Sequence, residues 1–205
     1  MSLPSVVPRI FALLVVILAL GRGRCEAADR RLNVVATTTV VADLVRQVAG
    51  DHVAVDCLMA AGVDPHSYKA TPRDADRLAR ADLVVASGLH LEGKLADLLT
   101  RLSRRVPVIA VGDAIPIDRL LDAGAGLHDP HVWFDAELWS LAVPAVVERL
   151  ATLDPPHAEA FRASGREYVE RLLALDGEIR EAIREIPLER RVMVTAHDAF
   201  RYFGR

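Results

Sequence analysis

Strand and helix patterns alternate along the first half of this chain. Short β-rich runs occupy residues 32–37, 53–58, 83–86 and 107–111. Apolar residues at helical spacing predict helices at residues 40–49, 72–81 and 92–102. The run at 83–86 is wholly apolar, as expected of a strand that is covered on both faces. This alternation predicts an α/β fold, in which helices wrap a parallel sheet.

Helix dominates the second half of the chain. Residues 136–151 have helical spacing, and Pro144 should interrupt that helix. Asp154 can cap a much longer helix that ends before Pro187. At ~1.5 Å per residue, that helix would measure roughly 45 Å. We interpret it as a brace that joins two α/β lobes, each a doubly wound parallel sheet; a long helix packed within one domain is the alternative.

The residues beyond Pro187 would begin the second lobe. Residues 191–195 are predicted to form a strand, and the sequence ends at Arg205. One strand cannot form a stable sheet, so we expect most of the second lobe to be missing and the sequence to be truncated. The predicted segments are a signal peptide at 1–27, an N-terminal lobe at 30–153, a linking helix at 154–187 and an incomplete C-terminal lobe at 188–205.

The N-terminal 27 residues have the pattern of an export signal. Arg9 is the only charge before an apolar run at residues 10–20, which is too short to span a bilayer and fits a signal peptide. We expect cleavage after Ala27 and a periplasmic or otherwise extracytoplasmic protein, with an N-terminal membrane anchor as the alternative. Lipid anchoring at Cys25 is less favoured, because Arg24 occupies a position where processing prefers a small residue.

The charge of the chain argues against one class of partner. The formal net charge is −3, and no basic patch indicates binding to nucleic acid. A mildly acidic protein is suited to attracting cations.

Cys57 ends an apolar alternating run and is expected to be a buried hydrophobic residue rather than a ligand.

Three histidines lie just beyond predicted strands. His66 and His131 each end an Asp-Pro-His triplet, and His197 follows the strand predicted at 191–195. The carboxyl ends of parallel strands form ligand sites, so the fold could bring the three imidazoles to one metal ion. We expect Zn(II), because it prefers imidazole and thiolate ligands. In both triplets, the proline stiffens the turn that presents the imidazole.

Several neighbouring residues have roles that the sequence leaves open. Asp64, Asp129 and Asp198 could accept a hydrogen bond from an imidazole, or could be turn formers and helix caps. Trp133 and Tyr68 are expected to pack as walls of the cleft between the two predicted lobes, where the metal would lie.

The remaining histidines carry weaker signals. His128 lies three residues before His131 and could be an auxiliary ligand. A lone histidine outside a rigid turn is usually structural or exposed, and we expect this of His52, His90 and His157.

Together these motifs resemble the zinc/manganese-binding solute-binding proteins of bacterial ABC transporters, the TroA-like family. The resemblance covers residues 32–205 and depends on the order and spacing of short motifs. They are VAT at 35–37, VVADL at 40–44, DPHSY at 64–68, SGLHLE at 87–92, DPHVW at 129–133 and TAHDAFRYF at 195–203.

The resemblance implies two lobes joined by a rigid helix, a metal site in the cleft between them, and delivery of the metal to a membrane permease. His66, His131 and His197 match the first three ligands of the family, and the fourth, a carboxylate, would lie beyond Arg205. Manganese-specific members commonly have Glu at the third position, so His197 favours zinc. Zinc members often have a long His-rich loop before the second histidine, and residues 114–128 contain only His128, which weakens the preference.

The leading hypothesis is therefore a monomeric binding protein, not an enzyme, that carries Zn(II) or alternatively Mn(II). A zinc-dependent hydrolase is the rival, because three histidines and an open position are also a catalytic pattern. Such an enzyme would need a general base, for which Asp198 is the available candidate. A metal-binding surface adhesin is a third hypothesis.

Overall fold

A computed structural model describes residues 30–205, and the signal peptide predicted at residues 1–27 lies outside the described residues. The centre of the fold is a four-stranded parallel sheet, with strands in the order β2-β1-β3-β4. The strands are β1 (Leu32–Ala36), β2 (Val53–Cys57), β3 (Leu83–Ala86) and β4 (Val108–Ala110). The helices are α1 (Thr39–Ala49), α2 (Pro72–Ala79), α3 (Ala96–Leu102), α4 (Ala136–Ser140), α5 (Val143–Leu153) and α6 (Ala158–Arg184).

Both faces of the sheet are covered, as the apolar strand at residues 83–86 predicted. Val34 and Val85 face a core formed with α1, α4, α5 and α6. Val35 and Val84 face a second core formed with α2 and α3. The α/β fold predicted from the sequence is therefore confirmed, with helices on both faces of a parallel sheet.

Local signals in the sequence set the ends of the first two helices. The Thr38 hydroxyl accepts a hydrogen bond from Val41 N at 3.4 Å and caps α1. Thr71 and Asp74 form a reciprocal capping box around Pro72 at the start of α2. Burial alone would raise the pKa of Asp74, but hydrogen bonds from Thr71, Tyr68 and Arg77 lower it below its usual value.

A buried carboxylate fills the crevice between β1 and β3, where the strand order reverses. Glu92 accepts hydrogen bonds from Thr37 Oγ1 at 2.5 Å and from Ser87 N at 2.7 Å. In open α/β sheets this crevice is a common ligand site. Here the protein fills it with its own side chain, and the functional site lies in the loops beyond.

The predicted helix at residues 136–151 is two helices. Pro144 lies in the first turn of α5, where its missing N–H costs nothing, and the chain turns between Ser140 and Val143. The interruption predicted at this proline is confirmed.

The long helix is slightly shorter than predicted. A 3₁₀ turn at Pro155–His157 precedes α6, whose 27 residues span about 40 Å. Asp154 Oδ2 accepts a hydrogen bond from the His157 ring at 2.7 Å instead of capping the helix. Gly165 allows close packing of α6 on α5, because a Cβ there would lie 2.4 Å from Val147 Cγ2.

The strand predicted at residues 191–195 is wrong. These residues have no regular secondary structure after a 3₁₀ turn at Leu188–Arg190, and Val192 and Val194 are 78% and 92% exposed. A strand needs a hydrogen-bonded neighbour, and the described chain offers none beside this segment.

A small hairpin lies in the long excursion after β4. Strands β5 (Asp122–Gly124) and β6 (Leu127–His128) pair antiparallel, and Asp129 N closes the hairpin neck by donating to Leu121 O at 2.8 Å. This hairpin leads directly into the second Asp-Pro-His triplet. Across residues 30–205, no helix combines the length and apolarity needed to cross a bilayer.

Candidate metal centre

The first Asp-Pro-His triplet lies in the loop after β2. Asp64 Oδ1 accepts from His66 N at 2.9 Å, and Asp64 Oδ2 accepts from the Ser67 hydroxyl at 2.6 Å. These hydrogen bonds, that from Ser67 first, lower the pKa of the Asp64 carboxyl below its usual value. Asp64 therefore stiffens the turn that presents His66, and it does not bond the imidazole ring.

The second triplet is buried, and its aspartate contacts the ring. Asp129 Oδ1 accepts from His131 N at 3.0 Å and from His131 Nδ1 at 2.7 Å. A carboxylate only accepts, so Nδ1 carries the proton and Nε2 of the neutral ring keeps its lone pair. Of the three aspartates, Asp129 alone accepts a hydrogen bond from one of the three imidazoles. Asp198 makes no side-chain hydrogen bond to any residue between 30 and 205.

The third histidine lies on an exposed segment that packs back onto the fold. His197 is exposed, and Ala199 and Tyr202 shortly after it are buried. The Phe200 ring lies 4.2 Å from the Phe134 ring, measured between centroids. These apolar contacts bring His197 to the side of the fold where His131 lies.

The three predicted histidines meet in one place. His131 Nε2 lies 3.2 Å from His66 Nε2 and 3.2 Å from His197 Nε2. One ring nitrogen from each histidine lies within 4.8 Å of the other two. Residues separated by 65 and 66 positions in the chain are therefore brought together by the topology of the sheet and its loops.

The chemistry of this cluster fits a cation. Two nitrogens bound at 2.0–2.1 Å to a tetrahedral ion lie about 3.3 Å apart, close to both observed separations. The His131 Nε2 lone pair can accept one good hydrogen bond, yet two imidazole nitrogens converge on it. An ion between the rings would satisfy all three lone pairs at once.

The environment of His66 favours its neutral form. Burial of the ring, followed by the charge of nearby His131, lowers the pKa of His66 below its ordinary value. Neutral imidazole is the form that binds metals.

A pocket of about 750 Å³ opens onto the three rings. Besides the histidines and the first triplet, its lining includes Leu91, Trp133, Phe134 and Ala199. Trp133 packs edge-on to His131 with ring centroids 5.3 Å apart, so its predicted role as a wall is confirmed.

Tyr68 does not line this pocket, and that prediction is wrong. Its hydroxyl donates to Asp74 Oδ2 at 2.8 Å beside α2. Burial and the nearby Asp74 raise the pKa of Tyr68 to about 12. Leu91, Phe134 and Ala199 carry no chemical signal in the sequence, so their place in the lining could not be predicted.

The other histidines lie elsewhere. His90 and His128 line a separate pocket beside β4, with Asp113. His52 and His157 stack on each other with ring centroids 4.1 Å apart, and the Phe161 ring lies edge-on to His52.

The sequence matches known proteins across the same region. Residues 34–205 match the family described as ZnuA, zinc-uptake complex component A, periplasmic. The chain is 47% identical over 180 residues to the manganese-binding lipoprotein MntA of Bacillus subtilis, covering 87% of this chain. It is 43% identical over 179 residues to the zinc-binding protein TroA of Treponema pallidum, also covering 87% of the chain.

A third relative has a name that describes a transport role. The chain is 31% identical over 187 residues to the metal ABC transporter substrate-binding lipoprotein ScbA of Streptococcus cristatus, covering 88% of this chain. The chain spans 59%, 58% and 60% of the lengths of the Bacillus, Treponema and Streptococcus proteins.

The fold matches a solved structure of the Treponema protein. The periplasmic zinc-binding protein TroA superposes with a TM-score of 0.82 at 42% identity, covering 85% of this chain and 63% of that one. The parallel sheet and the long helix are thus features that this chain shares with it.

Proposed function

The chain belongs to the ZnuA family of periplasmic zinc-uptake components, and from that membership we propose that it captures a divalent transition metal outside the cytoplasm. The metal is the cargo of the protein and is bound without turnover. His66, His131 and His197 are the proposed ligands. The observation that carries this proposal is the convergence of three imidazoles, in which His131 Nε2 lies 3.2 Å from the Nε2 atoms of both His66 and His197.

We propose Zn(II) as the cargo, with Mn(II) as the competing ion. Three imidazole nitrogens suit zinc, whereas sites rich in carboxylates suit manganese. The names of the relatives include both metals, zinc for TroA and manganese for MntA. The three imidazoles of this chain are the observation that supports zinc as the proposed cargo.

Delivery to a membrane permease is the second part of the proposal. The Streptococcus relative is named as the substrate-binding lipoprotein of a metal ABC transporter, which supports the same role here.

We propose that residues 30–153 form the first lobe, that residues 154–187 link it to a second lobe beginning at 188–205, and that the protein acts as a monomer. A carboxylate in the second lobe would complete the metal site.

The location of the protein is proposed from its relatives. The sequence favoured release after cleavage behind Ala27, but MntA and ScbA are lipoproteins by name. This finding favours a lipid anchor at Cys25 instead, at the outer side of the membrane. Replacement of Cys25 by Ala should then move the protein from the membrane fraction to the soluble fraction.

Competitive metal binding tests the central proposal. Calorimetry of Zn(II) against Mn(II), on the full-length protein, should give tight binding of one zinc ion and weaker binding of manganese. Tighter binding of manganese would keep the role and reverse the metal. Binding of neither ion would refute the proposal.

Two observations argue against the rival hydrolase, and the names of these three relatives describe no adhesin. The relatives named above bind metals or serve transporters, and none of their names describes an enzyme. Asp198, the candidate general base, does not line the pocket that holds the three imidazoles. Zinc-dependent hydrolysis of esters or peptides by the purified protein would overturn this conclusion.

A further inference from the structure

Tyr202 closes the neck of the hairpin that leads into His131. Its side chain is 2% exposed, and its hydroxyl accepts from Leu121 N at 2.9 Å and donates to Asp129 O at 2.9 Å. Asp129 N in turn donates to Leu121 O. The hydroxyl of Tyr202 therefore bridges Leu121 N and Asp129 O, the two backbone groups of this residue pair that do not bond each other directly.

Arg201 and Arg205, on either side of Tyr202, make further contacts with the residues around His131. Arg201 Nη1 donates to Asp122 O at 3.0 Å and lies 3.6 Å from Asp129 Oδ2. That oxygen is buried, and within the described chain it has no hydrogen-bond partner. On the far side of His131, Arg205 pairs with Asp135 at 2.9 Å.

The residues that follow His197 therefore hold in place the residues on both sides of His131. Residues 199–205 contact the hairpin neck before His131 and contact Phe134 and Asp135 after it. Asp129 is the residue whose carboxylate fixes the His131 ring. A shift of Asp129 would move that ring by a similar amount.

We propose that Tyr202 is a positioning residue for metal capture, which sets His131 and His197 relative to each other by tying residue 202 to the backbone of Asp129. This proposal rests on the proposed function and deepens it. Two of the three ligands then belong to one hydrogen-bonded unit, so their spacing exists before the metal arrives. Preorganised ligands bind more tightly because less conformational freedom is lost on binding.

Replacement of Tyr202 by Phe removes the bridge and keeps the ring. It leaves Leu121 N and Asp129 O without their buried partner, which loosens the neck. Tyr168→Phe is the matched control, since Tyr168 is also a buried tyrosine but lies on α6 and does not line the pocket of the three histidines.

The test compares both variants with the parent in the full-length protein. Zinc affinity is measured by competition with a chelator, and Co(II) absorption reports the ligand geometry. Loss of a residue that supports a ligand typically weakens metal binding about 10–100-fold. We expect that loss and an altered Co(II) spectrum for Tyr202→Phe, whereas Tyr168→Phe leaves both metal readouts unchanged.

A metal-free measurement separates this proposal from the function. NMR of the metal-free protein should show ring-to-ring NOEs between His131 and His197 in the parent, which weaken in Tyr202→Phe and persist in Tyr168→Phe. If the parent binds neither zinc nor cobalt but the NOEs respond in this way, the function fails and the positioning role stands. Unchanged NOEs in Tyr202→Phe, or parental zinc affinity with a parental Co(II) spectrum, would overturn the positioning role.

Discussion

The carboxylate of Asp129 lies 2.7 Å from His131 Nδ1, and both side chains are buried. This hydrogen bond fixes the tautomer of the ring and aims the Nε2 lone pair at the other two histidines. The aspartate of the first triplet behaves differently, since Asp64 bonds the backbone of His66 and the Ser67 hydroxyl. The same three-residue motif therefore serves the metal site in two ways.

Asp129→Asn is expected to weaken zinc binding about 10–100-fold, because the amide is a poorer acceptor for the imidazole N–H. The measurement is chelator competition with the full-length protein. Asp64→Asn is the matched control, and we expect it to change zinc affinity much less, since the Asp64 carboxylate makes no hydrogen bond to an imidazole ring. Equal losses in the two variants would show that the His131 contact has no special role.

His66→Ala and His197→Ala should each weaken zinc binding by orders of magnitude, because each removes one of three converging nitrogens. His157→Ala removes a histidine that stacks on His52 instead, and zinc affinity should stay at the parental value. Calorimetry on the three variants decides the assignment. Parental affinity in His66→Ala would exclude this histidine as a ligand.

Zinc affinity should fall as the pH drops below about 6.5, since protons compete with the metal for imidazole nitrogen. Burial and the neighbouring His131 lower the pKa of His66, so its contribution to this fall occurs below the ordinary value. The unfolded chain binds a proton at His66 more readily than the folded one does. The metal-free protein should therefore lose stability as the pH falls from about 6.5 towards the lower folded pKa.

Zinc titrations and urea unfolding between pH 5 and 7.5 check both parts of this prediction. The stability part is isolated by comparison with His66→Gln, which should remove the share of the slope that this histidine supplies. An affinity that stays constant over the whole range would contradict histidine ligation.

The elements that the sequence predicted well are those with local signals. The strand at Leu83–Ala86 is wholly apolar, and the capping threonine and Pro72 mark the start of α2. The two Asp-Pro-His triplets identified their histidines because proline and aspartate define a stiff turn within three residues. Convergence with His197 was predicted from a strand at residues 191–195 that does not form; the apolar packing of Ala199, Phe200 and Tyr202 brings this histidine to the site instead.

Features that depend on distant partners could not be predicted. The segment at 191–195 has the composition of a strand, but β pairing needs a neighbour that residues 30–205 do not supply. The role of Tyr202 depends on backbone groups 73 and 81 positions earlier in the chain. No periodicity or motif near residue 202 indicates those contacts.

The close approach of α5 and α6 gives a prediction about stability. An alanine Cβ at Gly165 would lie 2.4 Å from Val147 Cγ2, so the Val147 side chain or one of the helices must shift. Overpacking of this kind costs about 1–3 kcal/mol, and the better helix propensity of Ala offsets up to about 1 kcal/mol of it. Gly165→Ala should therefore lower the free energy of unfolding by roughly 1 kcal/mol.

Gly177 in the same helix is the control for that prediction. A Cβ there would meet nothing within 4 Å, so Gly177→Ala should gain the helix propensity alone and raise the free energy of unfolding by about 0.5–1 kcal/mol. Urea denaturation of the two variants measures the difference in sign. If both substitutions stabilised the protein equally, α5 and α6 would have room that the structure does not show. The opposite signs expected here would instead establish Gly165 as the residue that lets α6 pack on the helix before it.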